Sequence, residues 1–486
     1  MKIENIQNLK YKNIRLFPLQ TQDIYFILYH DLPSLYLISL LVDKLWFHIS
    51  QFSIEYVYPF RNYFNYISEK LGSFTEDYFI FWLENYYHSS DYAHNFMLKV
   101  LNYMQENNIE KKVIIHTIKS NEENIQEIME KYPNVILVLN TDSEYFFNEF
   151  FYKKTPITEI SNIYFRDDDG EYHATKRENV DYDLGEYIIW WYYNKYFFNF
   201  PKSKDEIIFL RSNEKRKVYN DDIFYQWTNE KYTNLLRNLW ENHIMLTTGR
   251  WCRFNCSYCY RWVKYNKVRQ IPIDVIKKDL DTIQQLWYTD IYLYDDCFVS
   301  TNHDRLDEII ELFSQYPFYY QIASRYETLN EVNLEKLSKA KIKKIQVWLQ
   351  SIWKQANLDS KRNINIEKFT GVIQNMKSKG MNISIDLILW LPGDTVMDFI
   401  KTFHFAVSLQ PTSVFINKLF LNPKTELDKN KEKYGIKTEH DTGLKKDFYV
   451  PKIHYSDTFT QKDLLIAEKY ILASMKKIDN VKIILR

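Results

Sequence analysis

Three of the chain's four cysteines lie close together, in the stretch Gly249-Arg250-Trp251-Cys252-Arg253-Phe254-Asn255-Cys256-Ser257-Tyr258-Cys259-Tyr260. Thiols clustered in this way are poor material for a disulfide framework. In a reducing compartment they point instead to metal binding or catalysis. A short CxxxCxxC loop can wrap three thiolates around one metal centre. An iron–sulfur cluster normally takes four Cys ligands, so three from the loop leave one iron open to a ligand from outside. Zinc is the competing use of the same residues, with Cys297 or a His completing the set. Structural zinc sites usually show two separated ligand pairs, a pattern this sequence lacks.

The elements around the loop must position it. From His243 onward, β-rich runs alternate with helical periodicity: strands are expected at 244–248, 290–294, 319–323, 344–349, 383–389 and 413–421, and helices at 272–287, 304–315, 329–340, 366–379 and 395–409. Six strands with five helices between them predict a partial (β/α)6 TIM-type barrel, where chemistry collects at the C-terminal ends of the strands. The cysteine loop directly follows the first of these strands. Upstream, apolar runs at 24–28, 52–58, 113–117 and 135–140 alternate with helical patterns at 33–47, 93–106 and 122–131, which implies a second parallel sheet. A hairpin at 162–172, turning at Asp169-Gly170, closes that unit. The fold class is therefore α/β, with a Rossmann-like domain over 1–175, a connector over 176–240, the barrel over 241–427 and an extension over 428–486. The extension carries a helical run at 461–477 and a short apolar end at 481–485, read as cover for the barrel.

CxxxCxxC with an aromatic at Tyr258, placed after the first strand of a βα array, resembles the signature of the radical S-adenosylmethionine (radical SAM) superfamily. The resemblance implies a [4Fe–4S] cluster held by Cys252, Cys256 and Cys259, whose open iron binds the amino and carboxylate groups of SAM. Reductive cleavage of SAM then gives a 5′-deoxyadenosyl radical that takes a hydrogen atom from substrate. It also implies an electron donor such as flavodoxin or ferredoxin, and a small-molecule or peptide substrate.

Further matches follow in chain order. Tyr294-Asp295-Asp296-Cys297-Phe298 ends the second strand and resembles the acidic strand end of relatives with a cobalamin-type N-terminal domain; by resemblance, Asp295 or Asp296 receives the SAM ammonium. Ser324-Arg325 ends the third strand, and the guanidinium there suits a carboxylate of SAM or substrate. Gln350 stands where relatives often carry Glu; it cannot act as a base but can hydrogen-bond a ribose hydroxyl. Leu391-Pro392-Gly393-Asp394-Thr395 resembles the family's L-P-G-(E/D)-T turn. Gly393 there lines the adenosine site through backbone, and Asp394 or Thr395 caps the next helix. Cys297 is expected near the reaction chamber, either as a small buried hydrophobe or as a catalytic residue that contacts substrate or donates a hydrogen atom.

The first 175 residues resemble the cobalamin (B12)-binding domain of one large radical SAM class. The resemblance is carried by Leu32-Pro33-Ser34-Leu35-Tyr36-Leu37, Asn140-Thr141-Asp142-Ser143-Glu144 and Ile160-Ser161-Asn162-Ile163-Tyr164-Phe165-Arg166-Asp167-Asp168-Asp169-Gly170. Against cofactor binding, only Gly72 and Gly170 of the nine glycines fall in this region, and no D-x-H-x-x-G motif supplies an axial His. Two reaction classes stay open: cobalamin-dependent methyl transfer, or cobalamin-independent epimerisation, cross-linking or rearrangement of a peptide or natural-product precursor. A non-catalytic zinc-binding interaction protein is the reading from another class.

Composition narrows the partners. Basic and acidic residues balance at 63 each, which disfavours a protein that holds nucleic acid by its phosphates. The apolar stretch 32–49 is interrupted by Asp43 and Lys44, so a buried helix is expected there and no membrane span. The first twelve residues show no apolar signal core, and a cytoplasmic location is expected.

Overall fold

The computed structural model describes residues 2–18, 52–54, 63–83, 90–117, 122–141, 143–178, 243–250, 252–259, 268–284, 289–299, 303–422, 425–438, 453–478 and 480–485. The N-terminal part is one sheet built from β1 (Ile14–Pro18), β2 (Phe52–Ile54), β3 (Tyr78–Leu83), β4 (Lys112–Thr117), β5 (Val135–Leu139), β6 (Ile163–Arg166) and β7 (Tyr172–Ala174). Among the described residues the order is β2-β1-β3-β4-β5-β6-β7. The first five strands are parallel, and β6 and β7 are antiparallel additions. All five side chains of β5 are buried, as a strand covered on both faces requires. Helices Ser90–Glu106 and Glu122–Lys131 pack against this sheet through Met97, Val100, Leu101, Ile125 and Met129. The expected hairpin is present, with Gly170 at φ 89° in its turn. β1, β3 and the helix Tyr63–Leu71 were not anticipated, whereas the strand expected at 24–28 and the helix at 33–47 lie outside the described residues.

The second part opens with β8 (His243–Leu246) and a short hairpin of β9 (Gly249–Arg250) and β10 (Arg269–Gln270). Then follow β11 (Asp290–Leu293), β12 (Tyr319–Ser324), β13 (Ile342–Gln350), β14 (Asn382–Leu389), β15 (Ser413–Lys418), the antiparallel pair β16 (Lys437–Thr438) and β17 (Ile453–Tyr455), and β18 (Lys482–Leu485). β8, β11, β12, β13, β14, β15 and β18 form one parallel sheet in that sequence, the partial barrel. Each expected strand and helix of the barrel is present within a few residues of its expected ends. A short helix, Lys354–Asp359, is additional.

One expectation is overturned. The apolar C-terminal end is a seventh strand and not a cover: Ser413 to Ile416 of β15 pair in register with Lys482 to Leu485 of β18. The physical reason is edge chemistry, because β15 would otherwise leave a row of unpaired backbone groups beside a buried apolar face.

Helix ends follow side-chain chemistry. Thr395 accepts a hydrogen bond from the Asp398 backbone N–H and so is the cap of helix Val396–Ser408, leaving Asp394 for another role. Asn365 likewise caps Ile366–Ser378, whose Phe369, Val372, Ile373 and Met376 recur at helical spacing and are buried. None of the described helices is long and apolar enough to cross a membrane.

Candidate active site

The cysteine loop leaves the barrel at the C-terminal end of β8 and is fixed at several points. The β9–β10 hairpin closes its base, and a Cβ on Gly249 would stand 2.9 Å from the Arg269 carbonyl oxygen, so the close approach requires glycine. Next to it, the Thr248 backbone N–H donates to Asp295 Oδ1 at 2.7 Å and the Thr248 hydroxyl donates to Oδ2. Burial pushes the Asp295 carboxyl up to about 6, against the pull of these Thr248 hydrogen bonds. Inside the loop, Ser257 donates from its backbone to the Ser360 carbonyl and from its hydroxyl to the Asp359 carbonyl at 2.8 Å. The Ser257 carbonyl in turn accepts from the Leu427 N–H, and Asn422 Nδ2 donates to the Tyr258 carbonyl at 3.2 Å. Loop residues are thus tied to β11 and to segments beyond β13 and β15.

Two buried guanidinium groups address Cys256. Arg325 Nη1 lies 3.6 Å from its Sγ and Arg362 Nη1 lies 3.8 Å from it. Arg325 is oriented by a two-pronged contact with Glu327 and by the Phe254 ring, whose centroid is 4.0 Å from its guanidinium carbon. Arg362 Nη2 donates to the Trp348 carbonyl at 2.6 Å. Burial acts to lower the Arg362 pKa, but its neighbours Tyr258, Cys256 and Glu327 more than offset this and hold it above its ordinary value. Burial raises the Tyr258 phenol well above its ordinary range, and Cys256 adds to the effect.

Cys297 shares a hydrogen bond with Cys252, which pushes Cys252 above the ordinary thiol range and draws Cys297 below it. The Ser324 hydroxyl lies 3.5 Å from Cys297 Sγ.

Gln350 ends β13 in the left-handed region, φ 69°, where the register against β14 shifts. Its buried Oε1 has no hydrogen-bond partner among the described residues. A non-glycine residue held there, with an orphaned acceptor, marks a place where a ligand group can be received. Gly393 is also left-handed, φ 78°, with the Asp359 and Gln355 side chains 3.0 Å from where a Cβ would stand. Behind it, Asp394 is fully buried, accepts from the Ser351 hydroxyl at 3.2 Å, and is pushed by burial up to about 7.

Of the residues singled out from sequence, Cys252, Cys256, Tyr258, Arg325 and Cys297 are joined by these contacts, and Ser324 belongs with them. Asp295 is engaged by Thr248 and the fork of Arg325 by Glu327. Asp296 is half-buried beside them. Arg362, Glu327, Phe254 and Thr248 had escaped sequence reading. Arg362 sits in the polar run Ser360-Lys361-Arg362-Asn363, which carries no periodicity that could mark a buried cation. Among the described residues no three His, Cys, Asp or Glu side chains converge tightly enough for a single metal ion. Fit to a cluster instead rests on the chemistry around Cys256, where two cations face one sulfur as they would a cluster thiolate.

Comparison with known proteins agrees with this geometry: residues 246–406 match the Radical SAM superfamily. The barrel is a radical SAM domain. A curated relative, the oxygen-independent coproporphyrinogen-III oxidase-like protein HemZ of Bacillus subtilis (strain 168), is 30% identical over 115 residues. That match covers 24% of this chain and 23% of HemZ, less than a quarter of either. The fold as a whole is shared with two solved radical SAM proteins. The methyltransferase TsrM from Kitasatospora setae, with tryptophan substrate and a SAM analog bound, superposes with TM-score 0.64 at 12% identity over 96% of this chain and 90% of TsrM. The cobalamin-dependent SAM radical enzyme OxsB, with aqua-cobalamin and SAM bound, gives 0.60 at 14% identity over 98% of this chain and 70% of OxsB. These likenesses show a shared fold, an N-terminal α/β sheet and a second, barrel-type sheet.

Proposed function

We propose that the chain is a radical SAM enzyme that cleaves SAM at the mouth of the barrel and modifies a small-molecule or peptide substrate there. Cys252, Cys256 and Cys259 hold the cluster. The observation that carries this reading is the pair of buried guanidinium groups of Arg325 and Arg362 on Cys256, in the loop that opens a radical SAM domain. Bound there, a [4Fe–4S] cluster supplies the electron that splits SAM reductively. The chain's own residues do the rest. Arg325 and Arg362 stabilise negative charge at Cys256, and Tyr258 shields the loop from water. The Asp295 to Thr248 contact fixes the second strand end, and the acidic pair Asp295-Asp296 there would meet the SAM ammonium. Gln350 offers its orphaned Oε1 to a ribose hydroxyl, Ser324 a hydroxyl at the end of β12, and the Gly393 turn brings backbone to the adenosine.

Cobalamin-dependent methyl transfer is the more specific form of this reading. The order β2-β1-β3-β4-β5 places a topological switch point between β1 and β3, where sheets of this order receive nucleotide-like cofactors beyond the strand ends. TsrM and OxsB share the arrangement over nearly the whole chain. We assign residues 1–175 to this unit, 176–240 to a connector and 241–427 with β18 to the barrel. A flavodoxin or ferredoxin donating electrons, and a cytoplasmic location, complete the proposal.

Anaerobic reconstitution of the full chain with iron and sulfide tests it. A brown protein that forms 5′-deoxyadenosine from SAM is expected, and Cys256→Ala is expected to lose both properties. Iron-free protein, or bound zinc, would sink the reading. Addition of hydroxocobalamin tests the narrower form: a bound corrin spectrum after gel filtration supports methyl transfer, and its absence favours the cobalamin-independent class.

A further inference from the structure

The inner wall of the barrel carries a charge that the cluster site does not use. On β13, Ile345, Val347 and Leu349 are buried in the core, whereas Gln346 and Trp348, whose side chains point to the other face, stay partly exposed. The same alternation runs along β11, where Ile291 and Leu293 are buried and Tyr292 and Tyr294 are only partly covered. On β15, Val414 and Ile416 are buried and Phe415 is not. In a closed (β/α)8 barrel the inward side chains fill the interior. Here they reach solvent, so the partial barrel encloses a chamber.

Trp348, Asp386 and Phe415 form one rank across β13, β14 and β15, each opposite the next in register. Asp386 thus has an indole on one side and a phenyl ring on the other. Gln346 Nε2 donates to its Oδ2 at 2.5 Å, which orients the carboxylate. Asp386 is 5% exposed, and a carboxylate at that depth carries a desolvation cost that Ile388, two residues further along the same face, avoids. A carboxylate between aromatic faces is recognition chemistry for an organic cation, combining charge pairing with the ring quadrupoles. Leu387, next along β14, pairs with Gln350, so this rank lies just below the residue assigned to the SAM ribose. Lys344 stands on the same face of β13 opposite Asn382, four residues before Trp348. That separation is roughly 13 Å of strand, on the side away from the mouth.

We propose that this chamber binds a substrate bearing a cationic amine, with Asp386 receiving the ammonium and Trp348 and Phe415 flanking it. The inference rests on the function proposed above and names the substrate class of that site.

The test uses reconstituted full-length protein and three probes of one shape: phenethylamine, 2-phenylethanol and 3-phenylpropionate. Calorimetry measures affinity, and 5-fluorotryptophan labelling locates binding through the fluorine resonance of Trp348, assigned with Trp348→Phe. Phenethylamine is expected to shift that resonance saturably and to bind about tenfold more tightly than the alcohol, with the carboxylate weakest. Asp386→Asn keeps the shape of the side chain and should abolish the preference for the amine. Should that variant fold poorly, Phe415→Leu leaves the carboxylate in place and should weaken the amine several-fold. Absence of saturable binding, equal affinities for the three probes, or a preference that survives Asp386→Asn would each overturn the inference while leaving SAM cleavage standing. With Phe415→Leu, an unchanged affinity would do the same. Failure of the wild-type protein to assemble a cluster or to form 5′-deoxyadenosine would overturn the function on which the inference rests, a result read independently of the probe titration.

Discussion

Arg362 Nη1 lies 3.8 Å from Cys256 Sγ although 106 positions separate the two residues in the chain. The guanidinium is held there by its bond to the Trp348 carbonyl at the end of β13, so the barrel sheet itself aims a cation at the cysteine loop. A cation favours the reduced, more negative form of a cluster bound at Cys256. Arg362→Met removes it and is expected to lower the midpoint potential, by about 60 mV if the preference is tenfold. Arg362→Lys should fall in between, since an ammonium cannot serve both the Trp348 carbonyl and the sulfur with a fixed fork. Potentiometric titration of the reconstituted variants checks this; an unchanged potential in Arg362→Met would remove the cation from the account.

Asp295 couples the loop to β11. Asp295→Ala leaves the buried Thr248 N–H without its acceptor and should cost about 1–3 kcal/mol of stability. Iron retention should fall with it. Asp295→Asn keeps an acceptor for the N–H and a partner for the hydroxyl, and should cost less than half as much. Denaturant midpoints together with iron per chain distinguish the two variants.

The barrel was legible because its strands and helices are short, regularly alternating and strongly patterned, so that 382–389 or 366–378 could be placed within a residue or two. The cysteine loop was legible because three thiols in a loop have few other uses. What escaped was long-range. β18 reads in sequence as a short apolar tail, and only the open edge of β15 tells where it pairs. Asp295 and Arg325 stand out in sequence as candidate site charges, but their partners, Thr248 and Glu327, are set by the folded strand ends, which no periodicity reports. Gln350 was marked by position alone; its left-handed backbone at a register shift has no signature in a residue that usually avoids it.

Two glycines give opposite expectations. Gly393→Ala forces a Cβ toward Asp359 and Gln355 in a backbone conformation that L-residues rarely adopt, and should destabilise the protein by about 1–3 kcal/mol. Gly371 lies exposed in the helix Ile366–Ser378 with open space around it, so Gly371→Ala should stabilise by up to about 1 kcal/mol. Chemical denaturation reads both. A neutral Gly393→Ala would mean that the turn is not under the constraint its geometry shows.

Asp394 makes stability depend on pH in a defined direction. Its carboxyl is fully buried, bonded to Ser351 through one oxygen while the other has no partner among the described residues, and burial raises its pKa from 3.8 to about 7. In the unfolded chain it ionises near its ordinary value, so between about pH 4 and 7 the folded state binds more protons than the unfolded state. Stability contributed by this group therefore falls as pH rises through that window and levels off above it. The fall is on the order of 2–4 kcal/mol, taking about 1.4 kcal/mol per pKa unit as the upper rate. Asp295, raised to about 6, contributes in the same direction. Asp394→Asn presents a neutral side chain of the same shape at every pH and should be more stable than wild type at pH 8. The advantage should shrink to nothing near pH 4. Guanidinium unfolding of both proteins at pH 5, 6, 7 and 8 measures the difference, and parallel curves would show that the Asp394 carboxyl ionises as freely in the fold as out of it.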